Sequence, residues 1–349
     1  MISGHLLLAL LAIQAQAPVA QKAPKDSFPV PRLFRSETPL AVTLKANFSK
    51  LKDDKDDKAP YRAATVSYMG DSGKTVAIPL RVKTHGIWRL HHCDLPPLRW
   101  NFAGKDTKGT VFHGVNKPKV TNICRVNDRY EQLVLQEAQL YRIYQLLTPQ
   151  SHRVRVLRIT YVDSASGKTE GTRYAFAFED PDQLAERMRG KLTTQKGATA
   201  SDLEPEAASI VYLFQYLIGN TDFSFNGLHN GELIFRPDGS PHIPVAYDFD
   251  FSGAVNAPYA TPDPKLNIRR VRDRLFRGYC AFNDDYPAAI ELFKARKNAI
   301  YALYRDEIGK LIDEQITRET LQYFDEFYDV IKNPASVKNN LLSGCQGQR

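Results

Sequence analysis

Residues Ile218–Gly253 read IGNTDFSFNGLHNGELIFRPDGSPHIPVAYDFDFSG and set acidic side chains among apolar and aromatic neighbours. Asp222, Glu232, Asp248 and Asp250 stand beside Ile, Phe, Leu and Tyr, whereas Asp238 falls in the turn Pro237-Asp238-Gly239. An unpaired charge is costly to bury, so such a run points to a place where a cation or hydrogen-bond donors compensate it. GELIF and IPVAYDF flank the turn as strand-like runs, which is a hairpin signal. A hairpin brings the start of one strand and the end of the other to the same edge. Asn230 and Asp248 then face one point, with Asp222 on the loop beside them. Phosphoryl transfer needs such parts: an Asp that orients an acceptor hydroxyl, and Asn and Asp oxygens that hold Mg²⁺ against ATP phosphates. Oxygen ligands suit a hard cation better than zinc. The plainer alternative is that DFD caps a strand and NTD is a turn.

Outward from this stretch, PEAASIVYLFQYLIGN (205–220) is an apolar helix closed by Gly219. Downstream, Asp285 caps and Pro287 opens a helix over 287–308, and a second follows over 316–333. Upstream, strand-like runs occupy 40–47, 64–69, 75–83, 97–102, 117–123, 154–162 and 173–180. A single helix interrupts them at 129–147, with Asp128 as its N-cap candidate. Leu133, Glu137, Tyr141 and Tyr144 share one face of it, so Glu137 sits on the apolar stripe and invites a basic partner. The outline is an α+β, bilobal, protein-kinase-like fold. A β-rich N-lobe with one helix spans 40–180, a mainly helical C-lobe carrying the acidic hairpin spans 181–333, and a tail covers 334–349.

The chain resembles the spore-coat protein H (CotH-like) family, whose fold is similar to that of protein kinases and whose members show atypical kinase activity. The matching segments are YLIGNTDFSFNGLHN and PVAYDFDFSG, preceded by PLRVKTHGIWR, PPLRWNF, FHGVNKPKVTNIC and YEQLVLQEAQLYRIYQLL, over about 75–255. The resemblance implies Asp222 as catalytic base, Asn230 and Asp248 as Mg²⁺ ligands and Asp250 as a possible second ligand. It also implies a basic residue paired with Glu137 and touching ATP phosphates, with Lys119 as first choice, Arg99 second and Lys83 third. The partners implied are ATP and a protein or small-molecule hydroxyl. The chain departs from ordinary protein kinases in lacking a GxGxxG loop, for which only Thr84-His85-Gly86 stands in, and in lacking HRD and DFG motifs.

Charge and composition set bounds on these readings. The formal net charge of +8 favours anionic partners. No motif that reads RNA or DNA is present, so nucleic acid is not expected as a partner. The apolar run Leu6–Ile13 within residues 1–20 reads as a secretory signal peptide, too short for a transmembrane span, and residues 21–39 read as a linker. Export to the periplasm or the extracellular space follows, and four cysteines then permit two disulfides, with Cys93–Cys124 the favoured pair. His85, His91 and His92 are poorly spaced for one metal ion, and His229 reads as a structural hydrogen-bonding residue. The arginines of IRRVRDRLFRGYC (268–280) read as a solvated surface. Because ATP is scarce outside the cytoplasm, a non-catalytic envelope or surface binding protein is the alternative reading. A metal-dependent phosphodiesterase would want grouped histidines, which the chain lacks.

Overall fold

The computed structural model describes residues 28–56, 58–86 and 88–347, so the signal peptide expected over 1–20 lies outside the described residues. Seven strands dominate the first half: β1 (Leu40–Ala46), β2 (Arg62–Met69), β3 (Thr75–Thr84), β4 (Leu98–Phe102), β5 (Lys119–Thr121), β6 (Val154–Asp163) and β7 (Thr169–Phe178). They close into a barrel in the order β1-β2-β3-β4-β5-β7-β6. Closure comes from a parallel pairing of β1 with β6, running from Leu40 opposite Leu157 to Ala46 opposite Asp163. Alternation along each strand sends Val42, Leu44, Ile78, Val82, Trp100, Val120, Leu157 and Ile159 into a shared interior.

This arrangement corrects the expected bilobal, protein-kinase-like fold. A closed seven-stranded barrel stands where a β-rich N-lobe with one helix was expected. Four α-helices accompany it among the described residues up to 180: α1 (Phe48–Asp53), α2 (Trp88–His92), α3 (Gly104–Thr107) and α4 (Asp128–Leu147). The physical reason is that closure depends on pairing between strands more than a hundred residues apart. Alternation within a single strand carries no information about which neighbour it will take.

The remainder comprises α5 (Pro181–Arg187), β8 (Lys191–Leu192), α6 (Pro205–Ile218), β9 (Gly231–Phe235), β10 (Ile243–Ala246), α7 (Tyr286–Ala302), α8 (Glu314–Val330) and α9 (Pro334–Asn340). β10, β9 and β8 form a small sheet in that order. The long helix α4 joins the two parts. It packs on β6 and β7 on one side and on α6 and α7 on the other, within one continuous apolar cluster. It is therefore buried nearly all round, and its polar members need partners: Gln139 Nε2 donates to the Leu303 carbonyl at 2.7 Å, and Arg142 pairs with Asp306 and Glu37.

Two disulfides fasten the chain, Cys93–Cys124 and Cys280–Cys345. The first ties the end of α2 to the approach of α4; the second ties the segment before α7 to the C-terminal segment. The described part of 21–39 is docked on the barrel: Leu33 is fully buried, and Arg155 Nη1 donates to the carbonyls of Leu33 and Ser36 at 3.1 and 2.8 Å.

Candidate functional site

Helix α6 ends at Gly219, whose φ of 62° gives the left-handed turn that stops the helix. A Cβ at this position would collide with the Tyr323 hydroxyl, so the residue must also be bare. Immediately beyond, Asn220 Oδ1 accepts from the Asp222 N–H at 3.0 Å and fixes the turn. Ser224 and His229 exchange backbone hydrogen bonds at 2.8 and 2.9 Å, folding the intervening loop back. His229 Nε2 thereby meets Asp222 Oδ1 at 2.8 Å, and Asn230 Nδ2 donates to Asp222 Oδ2 at 3.0 Å. The Asp222 side chain is 38% exposed, and its hydrogen bond holds the His229 imidazole above its ordinary pKa.

The hairpin places Gly231 opposite Ala246, so Asn230 and Asp248 flank the same end of β9 and β10. Asp248 (φ 61°) donates its backbone N–H to the Tyr141 hydroxyl of α4 at 2.8 Å. Five described non-glycine residues have positive φ, and Leu228, Asn230, Asp248 and Asn256 among them lie in or beside this hairpin. Backbone held in sparsely populated conformations concentrates at functional sites.

Asp250 is buried, and its Oδ2 accepts from Arg89 Nε at 3.1 Å, Arg89 Nη2 at 2.8 Å and the Tyr259 hydroxyl at 3.0 Å. The same Arg89 Nη2 reaches Glu137 Oε2 at 3.0 Å. One guanidinium thus serves two buried carboxylates, with a third, Asp248, alongside. The imbalance is visible in proton affinity. Burial, then Asp250, then Glu137 push Asp248 well above the usual carboxylate range. Burial raises Glu137 to about 7 although Arg89 opposes it, and Asp250 adds to the rise.

The partner of Glu137 is therefore Arg89, in place of Lys119, Arg99 or Lys83. Lys83, Arg99 and Lys119 instead form a cross-strand row on the outer face of β3, β4 and β5. Lys119, at its end, is buried, with its ammonium 4.9 Å from the Phe178 ring centroid and 4.8 Å from that of Tyr247. Burial lowers its pKa against the pull of Glu232, and Arg99 lowers it further; Asp248 and Asp180 act in the opposite sense. The end of the basic row thus lies within the electrostatic reach of the acidic hairpin.

Arg89 was not singled out in the sequence because it sits in HGIWRLHHC, which reads as a loop with histidines. The usable signal was Cys93, since a disulfide to Cys124 fixes α2 beside α4. Of those histidines, His92 stacks on Trp88 with ring centroids 4.3 Å apart. The arginine segment 268–280 is irregular and not a helix. Two of its side chains serve the site: Arg274 donates to the carbonyls of Tyr216 and Leu217, capping α6, and Arg277 Nη1 donates to those of Thr221 and Phe223 at 2.5 and 2.8 Å. The second grips the backbone on both sides of Asp222.

No group of three or more His, Cys, Asp or Glu side chains arranged to hold a metal ion occurs among the described residues. The donor set available at the hairpin is two carboxylates, Asp248 and Asp250, with the amide of Asn230. Mg²⁺ is commonly held by one or two carboxylates together with waters and substrate phosphates, so this set suits it, whereas a resident zinc would want more. No protein-family model and no curated protein matches the chain.

Proposed function

We propose that the chain is a phosphotransferase that uses ATP with Mg²⁺ and delivers a phosphoryl group to a hydroxyl of a protein or small molecule. One observation carries the reading: three carboxylates, Glu137, Asp248 and Asp250, crowd around a single cation, Arg89, beside the end of a basic row. Carboxylates in this state gain most from a divalent cation, and a cationic row gains most from phosphate. The order of motifs shared with CotH-like proteins points the same way.

In this reading Asp248 and Asn230 hold the metal, which when bound would neutralise charge on the phosphates, and Asp250 supports Asp248 from behind while Arg89 fixes its direction. Lys119 and Arg99 attract the polyphosphate. Asp222 receives the proton of the acceptor hydroxyl; His229 and Asn230 orient its two oxygens, and Arg277 steadies its backbone. The test is calorimetry with ATP, with and without Mg²⁺, on the wild type and on Asp248→Asn. Asparagine tolerates the positive φ of this position, so the variant retains the local backbone. Metal-dependent ATP binding that disappears in the variant supports the reading. Failure of the wild type to bind ATP under any metal condition overturns it and leaves a non-catalytic binding protein.

A further inference from the structure

A cavity of about 150 Å³, with a lining of mixed polar and apolar side chains, opens beside the chain that leaves the acidic hairpin. Its wall is made by the start of α4, the chain leaving the hairpin and the first turns of α8, and the polar side chains on it are Arg129, Gln136, Asn256, Arg272, Glu319 and Thr320. Two guanidiniums therefore share one small space with two amides, a hydroxyl and one carboxylate, beside the apolar Leu133, Ala254, Val255 and Ile316.

The engagement of these groups is incomplete. The Arg129 side chain makes no hydrogen bond or ion pair among the described residues. Arg272 lies over the Tyr323 ring, 4.4 Å from its centroid, which fixes its plane without using its donors. Its bonds to the carbonyls of Gly253 and Glu319 are long, 3.4 and 3.5 Å, beyond the usual range for N–H···O. Gln136 is 5% exposed, and its amide gives one bond of 3.3 Å to the Gln132 carbonyl. Thr320 is 3% exposed, and its hydroxyl makes no hydrogen bond among the described residues. The one carboxylate, Glu319, is turned to Gln315, whose Nε2 donates to it at 2.9 Å. A small space lined in part by unsaturated donors, with two permanently cationic side chains among them, suits a compact anion.

We propose that this cavity is an anion site that takes a single phosphoryl group, separate from the site formed by the acidic hairpin. Bidentate N–H groups from Arg272, the charge of Arg129 and the donors of Gln136 and Thr320 would surround its oxygens. The proposal stands independently of the phosphotransferase reading, since none of the residues used there lines this cavity.

The experiment is calorimetric titration of the full chain with inorganic phosphate at low ionic strength. The test variant is Arg129→Glu. Arg129 is exposed and lies in the first turn of α4, where a glutamate is tolerated and favoured by the helix dipole, so the variant should fold. Lys105→Glu, the same charge change on an exposed residue of α3, controls for general electrostatics. The expected result is phosphate binding weakened about tenfold or more in Arg129→Glu, the loss of one charge-assisted contact, and little changed in Lys105→Glu. Binding by Arg129→Glu equal to the wild type, an equal loss in Lys105→Glu, or no phosphate binding by the wild type would each overturn the assignment.

Discussion

Replacing Arg89 by Met would remove the guanidinium and keep most of its apolar stem. Glu137 and Asp250, with side chains 2% and 6% exposed, would lose their shared cation and three charge-assisted hydrogen bonds. Removing one partner of a buried ion pair costs about 3–5 kcal/mol, because the remaining charge stays desolvated. The chain has an escape, since a stranded carboxylate can take up a proton. Glu137 is already raised to about 7 with Arg89 in place, and it rises further without it. At pH 8 the protonation must be driven against the solution, and the loss should be about 3–5 kcal/mol. At pH 5 Glu137 of the variant is neutral in the folded chain, and the loss should fall below its value at pH 8. Urea unfolding of both proteins at the two pH values, followed by tryptophan fluorescence, measures this difference. An equal loss at pH 5 and pH 8, or a loss under about 1 kcal/mol at pH 8, would refute the idea that Arg89 neutralises the cluster.

Other expectations follow from the same geometry. In the wild type, Glu137 holds in the folded state a proton that the unfolded chain has lost between its ordinary 4.5 and about 7, so stability is fully present below 4.5 and declines as pH rises through 7. The change is on the order of 3 kcal/mol, and Glu137→Gln should flatten it in the same urea series. Gly219→Ala should cost about 2 kcal/mol or more in thermal unfolding, since it strains a positive φ and meets the Tyr323 hydroxyl. Opening Cys93–Cys124, by a Cys93→Ala/Cys124→Ala double variant, should cost about 3–4 kcal/mol for a closed loop of 31 residues, with Arg89 losing its fixed position. Calorimetry should then show weaker ATP binding in that variant than in the wild type.

What the sequence disclosed was local. Strand-like runs located β1 to β7, β9 and β10 but not the two-residue β8, and Gly219 and Pro287 marked where helices stop and start, because each of these signals acts within a few residues. Asn230 and Asp248 could be placed together because a two-stranded hairpin fixes register over a short span. Closure of the barrel was not legible, since β1 and β6 choose one another through interior packing that neither states alone. The pairing of Arg89 with Glu137 and Asp250 was hidden for the same reason: it joins three segments that only tertiary structure brings together. Amphipathic reading of α4 found one stripe, although the helix is enclosed on nearly every side; its buried Gln139 and Arg142 look like surface residues until their partners are known.

The parallel seam between β1 and β6 also dictates an order of assembly. β1 is among the first strands to leave the ribosome, yet it cannot be sealed until a strand more than a hundred residues later arrives. Bringing such distant segments together carries a loop-closure entropy that only late contacts repay, which slows folding and leaves the edge of β1 away from β2 exposed in the interval. The Cys93–Cys124 bond spans a much shorter stretch and can form within the unfinished sheet. Oxidation should thus precede barrel closure, and a chain deprived of it would reach its slowest step with the β6-facing edge of β1 still open and free to aggregate.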